Sequence, residues 1–331
     1  MNSEIYEKLN KKYKEEILPK FKILETERSD TLKTRNFTFV VGIILIILIF
    51  ISKVNSLLML LFVFIAFSMA FGMPKVFETR VKEKIMRYFC SCFEDLSWTN
   101  SSKMTKENKI YDFVISESKL LKASKLFYTD NSSTFYYDDI FKGSYDNIPF
   151  LFYELSSNTH LNKFCSEDVR LFDISDMLLP KAKRNIKFNG LVIKVKLNKK
   201  FKGNTIVVPD SMFHLKPDSK LKRTVLEDVK FERKFDVFTT DEVEARYLIT
   251  TSFMERLNKL SAVFKADKVS CAFYNKELFI GIHIPLNKDL FKVVNLNKPL
   301  DDNKEIKNLL KEVILIYDLI DYLKLKEKTK L

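Results

Sequence analysis

Two uncharged apolar runs separated by a single lysine constrain this chain more than any other feature. Residues 36–52 read NFTFVVGIILIILIFIS and residues 54–74 read VNSLLMLLFVFIAFSMAFGMP, with Lys53 between them. At a helical rise of about 1.5 Å per residue the second run reaches roughly 30 Å, the thickness of a bilayer's hydrocarbon core, and the first is slightly shorter. Soluble core helices seldom stay free of charge for so long. The spacing therefore predicts a transmembrane hairpin, about 37–52 and 54–73, with both ends on one side. Lys20, Lys22, Arg28, Lys33 and Arg35 precede it and Lys75, Arg80, Lys82, Lys84 and Arg87 follow it, against Lys53 alone in the turn. The positive-inside rule then places both termini in the cytoplasm. A cleaved secretory signal starts closer to the first residue and has a shorter apolar region than this charged lead and hairpin, so no cleavage is expected.

The predicted fold class is α+β: an N-terminal helix, the two-helix hairpin, then a cytoplasmic mixed domain with a largely antiparallel sheet and packing helices. In residues 1–35, Tyr6, Leu9, Tyr13, Ile17, Phe21 and Leu24 recur at helical spacing, with Pro19 expected to kink or divide the helix. In residues 75–97, Phe77, Val81, Ile85, Phe89 and Phe93 recur every four, which predicts a cytoplasmic stalk that packs on the lead. Residues 98–331 form the mixed domain. FLFYEL, LVIKVKL, TIVV, VKFERKFDVF and VSCAFYNKELFIGIHI are rich in β-branched and aromatic residues and read as strands. A helix from about Lys304 to Lys326 is expected to cover one sheet face. Phe141-Lys-Gly143, Phe188-Asn-Gly190 and Phe201-Lys-Gly203 suggest glycines at bulges or turns with positive φ.

The segment DVFTTDEVEARYLITTSFMERL, residues 236–257, gathers acids, arginines and hydroxyls, yet each has an ordinary structural reading. Val229, Phe231, Phe235 and Val237 alternate as one strand face. Asp241 and Glu244 suit a helix start, Ser252 and Glu255 a second one, and Glu242–Arg246 and Glu255–Lys259 are i, i+4 pairs of the favourable order. Arg246 beside Tyr247 is the least explained element, suited to a buried network or an anionic ligand. Asp138 and Asp139 point to opposite faces if they lie in a strand, which disfavours a shared metal or proton. His160, His214 and His283 are scattered, and a structural role is expected for them. Cys90, Cys92, Cys165 and Cys271 face a reducing compartment; the C-x-C pair invites zinc or a lipid anchor, but no second cluster completes a ligand set.

The words FERKFDVFTTDEVEARYLITTSFMERL, KKFKGNTIVVPD and DLFKVVNLNKPL carry a resemblance. With them the chain resembles, over nearly its whole length, a bacterial family of uncharacterised membrane-anchored proteins, domain of unknown function 3137. The most specific words are Glu244-Ala245-Arg246-Tyr247-Leu248 and Phe253-Met254-Glu255-Arg256-Leu257; family members commonly have proline where Thr251 or Ser252 stands here. The resemblance implies a cytoplasmic helical lead, a transmembrane hairpin and a mixed cytoplasmic domain, and brings no established activity.

Charge supplies the remaining signal. The formal net charge is +13. Bases far outnumber acids from Lys181 to Lys234, and the reverse holds from Asp130 to Pro180. Basic residues near a cytoplasmic leaflet are drawn to anionic lipid at roughly 1 kcal/mol each, and Lys75, Arg80, Lys82 and Lys84 are the candidates for that contact. A competing reading is compositional bias that places lysine on any solvated face. G-x-S-x-G, H-E-x-x-H, Walker and kinase signatures do not occur in the sequence. The expectation is a non-enzymatic, membrane-anchored interaction or scaffold protein that binds a protein partner, with anionic lipid as a second contact. Its partner-binding residues are expected to be Asp241, Glu244, Arg246 and Tyr247. The alternative is an enzyme or small-ligand sensor with a pocket near Asp241, Arg246 and Tyr247. No cofactor or metal is expected, and nucleic acid is the least favoured partner.

Overall fold

The apolar runs are helical, and each helix continues well beyond its run into charged sequence. The computed structural model describes residues 3–52, 57–107, 109–127, 133–158, 188–198, 200–210, 220–226, 228–285, 290–300 and 304–328. The turn around Lys53, Cys165, His160, His214 and residues 159–180 of the acidic stretch lie outside the described residues. Two units divide the chain: Asn2–Glu94 with Phe291–Lys311, and Asp95–Leu290 with Glu312–Leu331.

The helical unit contains α1 (Ser3–Lys12), a π-helical turn (Tyr13–Ile17), α2 (Leu18–Ser52) and α3 (Leu57–Cys90). Pro19 does not divide the lead. Its ring has no N–H and crowds the carbonyl four residues back, and the wide π turn directly before it is how the helix absorbs that crowding. Pro74 is passed without a break in α3. The two long helices run antiparallel, with Phe39 edge-on to Phe67 and Phe71 at centroid distances of 5.7 and 5.2 Å. A Cβ at Gly42 would sit 2.9 Å from the Phe67 ring, so glycine lets that ring lie against the backbone of α2. Further along, Tyr13, Ile17, Phe21 and Leu24 are buried, as are Phe77, Val81, Ile85 and Phe89. Lys20 lies 4.7 Å over the Tyr88 ring, and Lys12 Nζ donates to the carbonyls of Ser91 and Cys92. Each fully buried large side chain contributes about 1.5–3 kcal/mol.

The second unit is built on nine described strands: β1 (Leu96–Thr99), β2 (Phe135–Tyr145), β3 (Ile148–Ser157), β4 (Phe188–Lys196), β5 (Thr205–Pro209), β6 (Lys222–Thr224), β7 (Phe235–Thr239), β8 (Lys268–Tyr274) and β9 (Glu277–His283). Their order is β1-β2-β3-β4-β9-β8-β5-β7-β6, with every pairing antiparallel. The strands are interspersed with helices α4 (Ser101–Lys106), α5 (Ile110–Ser124), α6 (Val229–Glu232), α7 (Glu242–Leu248) and α8 (Thr251–Phe264); α9 (Lys304–Lys328) follows the sheet. Strand alternation sorts the core. On one face Leu151, Tyr153, Leu155, Val192, Ile206, Phe238 and Phe279 join Leu121 of α5. On the other, Tyr317 of α9 stacks on Tyr145 at 4.1 Å and meets Phe150, while Phe253 of α8 meets Phe273.

Three local expectations need correction. VKFERKFDVF is not one strand: Asp228 caps a helical turn by accepting from the amides of Lys230 and Phe231, and the strand begins only at Phe235. The alternation of Val229 and Phe231 could not reveal that cap. Second, the Phe-x-Gly glycines have no positive φ; the described left-handed residues are Lys125, Asp139, Asp146, Asn147, Lys265 and Asn275. Glycine is required at Gly143 and Gly190 because a Cβ would lie 2.2 Å from the Asp95 carbonyl oxygen and 1.9 Å from that of Ile282. Third, α8 is capped by Thr250, whose hydroxyl accepts from the Phe253 amide, rather than by Ser252.

Candidate functional site

Asp241, Glu244, Arg246 and Tyr247 lie on or beside α7, and the geometry gives the two acids structural work. Asp241 Oδ1 accepts from the Glu244 amide at 3.0 Å, capping the helix. The Glu244 carboxylate turns away and accepts from the amides of Lys202 and Gly203 at 2.9 and 2.8 Å, so an internal anion fills that pair of donors. Gly203 fits because a Cβ there would press on Thr240 and Asp241. Arg246 is exposed and Tyr247 half-buried. Among the described residues Glu242 does not pair with Arg246, nor Glu255 with Lys259. Arg256 instead reaches across to Asp318 at 3.7 Å and lies 4.6 Å over the Tyr322 ring, tying α8 to α9.

Other singled-out polar residues are likewise structural. Asp139 sits at a β-bulge with φ 42°, buried, accepting from the Trp98 indole N–H at 2.9 Å; Asp138 accepts from Ser101. The sequence separated these two carboxylates by strand alternation, whereas the structure separates them by a bulge. His283 accepts from the Asn189 amide at 3.4 Å and lies against Phe188, and burial lowers its pKa. Burial pushes the Cys90 thiol up to about 12 and that of Cys92 up to about 11. Buried thiols held protonated are poor nucleophiles and poor metal ligands.

Two clusters escaped the sequence reading. Under α5, the Lys194 ammonium pairs with the Glu117 carboxylate, Tyr153 donates to Glu117 at 3.4 Å, and Glu277 stands close enough that Lys194 opposes the rise that burial imposes on its pKa. Near the sheet edge, Arg223 bridges Asp236 and Glu232 at 2.7 and 3.3 Å. Asp236, from the acid-rich segment, is thus the buried partner of an arginine.

The helical unit holds the most developed polar constellation. Residues Phe291–Leu300 form an irregular strap whose Phe291, Val293, Val294, Leu296 and Leu300 are buried. Such backbone has no ladder to satisfy its polar groups, and buried ones must find partners. Here side chains serve. Arg28 Nη1 donates to the Leu296 carbonyl at 2.8 Å, Glu78 accepts from the Leu296 amide at 3.2 Å, and Glu25 accepts from the Leu300 amide at 2.9 Å. Arg28 also clasps Glu25 at 2.6–2.9 Å, and this hydrogen bonding holds the Glu25 carboxyl below its ordinary range against the opposing effect of burial. Arg35 Nη1 reaches Asn297 at 2.7 Å. The strap lies in DLFKVVNLNKPL, one of the words that carried the resemblance; its aperiodic pattern gave no other signal.

A separate face of the helix pair carries a groove of about 590 Å³. Glu27 at its rim accepts from Arg80 and from Lys84, the latter at 2.9 Å. Of the four bases expected to meet anionic lipid, Arg80 and Lys84 are therefore joined to Glu27, while Lys75 is exposed and Lys82 half-buried.

A chain that combines a paired-helix unit with long apolar faces and an antiparallel α+β sheet unit is the class that this geometry defines. The family model described as a protein of unknown function, DUF3137, matches residues 186–325, and over that range the chain is similar to the family. The matched range takes in β4 through β9, the strap and most of α9. No curated protein matches the chain. Among solved structures, that of the mycobacterial trehalose monomycolate transport factor A, TtfA, aligns at 6% identity over 54% of this chain and 73% of that one, with a TM-score of 0.26.

Proposed function

We propose that this chain is a membrane-anchored interaction protein whose two apolar helices span a bacterial inner membrane, with both termini cytoplasmic, and whose sheet unit binds a protein partner. The observation that carries the anchoring is exposure. Phe37, Phe50, Leu57, Phe64 and Phe71 are 69–84% exposed on helices long enough to cross a bilayer. Isolated exposed apolar residues are common, but a contiguous belt of them demands a partner phase. Flanking charge supports the orientation. The exposed Arg246 on α7 supports a partner contact there, and the exposed Lys75 supports a second contact with anionic lipid.

The partner reading is tested by affinity purification from detergent-solubilised membranes. It predicts a stoichiometric companion that is lost on Arg246→Glu, a change at an exposed position that leaves the fold intact. Recovery of no companion across several detergents, or full retention by the variant, contradicts it.

A further inference from the structure

We propose that the groove between α2 and α3 seats one phospholipid whose head group carries both a phosphate and a primary ammonium, an ethanolamine phospholipid. This rests on the membrane reading and adds a ligand to it.

The groove has a direction. Along α3 it runs from Met69 to Arg80, about 16 Å at 1.5 Å per residue. Met69 and Met73 lie in the apolar run, while Arg80 lies beyond it, at the level of Glu27. Its long axis thus passes from hydrocarbon depth to head-group depth, and its lining changes from thioether and aliphatic groups to charge. Methionine suits a flexible chain because its unbranched side chain adapts to irregular shapes. Gly72 leaves the wall open: a Cβ there would meet nothing within 4 Å. The volume of about 590 Å³ falls within the ~300–1,000 Å³ typical of ligand clefts. The strap does not fill the groove. Glu78, which binds the strap, projects from the opposite side of α3 to Met69, Met73, Val76 and Arg80, since successive residues turn by about 100°.

The charges select the head group. Arg80, although joined to Glu27, still presents a guanidinium more than half exposed, and Asp30 an even more exposed carboxylate that its neighbour Lys33 meets at 3.6 Å. A cation and an acid on the two rims complement a zwitterion, with phosphate toward Arg80 and ammonium toward Asp30. A glycerol head group brings no ammonium of its own to Asp30, beside the one that Lys33 supplies at 3.6 Å. A choline head group has no N–H to donate to the carboxylate.

The test uses the full chain in vesicles of equal parts ethanolamine, glycerol and choline phospholipid, followed by gentle release and native mass spectrometry, with flotation to score insertion. One retained ethanolamine lipid is expected, enriched roughly tenfold over choline lipid, the size of one hydrogen bond to a charged group. Gly72→Phe should fill the groove and abolish retention while the protein still floats with the vesicles. Asp30→Asn should level ethanolamine and choline lipids while retaining a lipid. Equal retention of all three lipids, or undiminished retention by Gly72→Phe, overturns the proposal. Failure of the unmodified protein to float overturns the anchoring as well, which separates the two claims.

Discussion

The two units bury the same kinds of residue by opposite means. In the sheet unit the phenylalanines of β2, β3, β8 and β9 are covered on both faces, by α5 on one side and by α8 with the end of α9 on the other. In the helical unit the lead and stalk ends close on each other, whereas the apolar runs leave Phe50 83% and Leu57 84% exposed. A sheet face can be dried by one helix, but a lone antiparallel helix pair has only one shared seam and leaves most of each helix uncovered. The difference separates the part of the chain whose apolar residues are covered by protein from the part whose apolar residues stay open.

The largest effect is expected where the sheet unit has no slack. Gly190→Ala places a methyl against the Ile282 carbonyl in the central β4–β9 pairing, and should cost on the order of 4 kcal/mol or more. Circular dichroism melts of the purified protein should show the sheet unit unfolded or greatly weakened, with the helical signal of the other unit retained.

Next in size is the pair under α5. Glu117→Leu strands the largely buried Lys194 ammonium and should cost about 3–5 kcal/mol, whereas Glu117→Leu combined with Lys194→Met should recover most of that. Chemical denaturation of the three variants measures this. Equal losses for the single and double variants would show that the pair is not coupled.

The sharpest contrast between the units comes from a lysine scan along one helix. Ile47 and Ile23 are both exposed residues of α2. In water both substitutions are harmless; in a bilayer Ile47→Lys should cost roughly 2.5–3.5 kcal/mol of insertion and Ile23→Lys almost nothing. A glycosylation-mapping or flotation assay distinguishes these outcomes, and equal tolerance would erase the contrast.

Arg28→Ala is the mildest change. It removes the partner of the Leu296 carbonyl and of Glu25, and should loosen the strap by about 2–3 kcal/mol. The pH dependence has a definite sign. The Glu25 pKa is lowered by folding, so its contribution is present above the ordinary carboxylate pKa and is lost as pH falls through the lowered value. The hydrogen-exchange protection of residues 291–300, relative to intrinsic rates at each pH, should therefore fall on acidification in the native protein and less so in Arg28→Ala.

Much of this architecture was legible in residue patterns, and the failures have physical causes. Enrichment in β-branched and aromatic residues located β3, β4, β5, β8 and β9, and helical spacing located the lead and stalk, because burial on one face imposes a period. Alternation misled at Val229 and Phe231, where a single Asp228 side chain decided the backbone. The Phe-x-Gly words marked places that tolerate only glycine, but the reason is close backbone approach across strands or from a neighbouring loop, which no local pattern encodes. The strap and the Glu117–Lys194 pair join residues far apart in sequence, so neither produces a period. Asp241 was legible as a cap; that Glu244 would fill the Lys202–Gly203 amides was not, because the partner loop lies on a distant strand connection.

On the proposed topology, α2 and α3 cross a membrane and return the chain to the side it left. Alkaline extraction of membranes, combined with a fluorescent reporter that matures only in the cytoplasm joined after Leu331, tests it most directly. An extraction-resistant protein and a bright reporter are expected. Release into the soluble fraction, or a dark reporter on an intact and exported fusion, contradicts it.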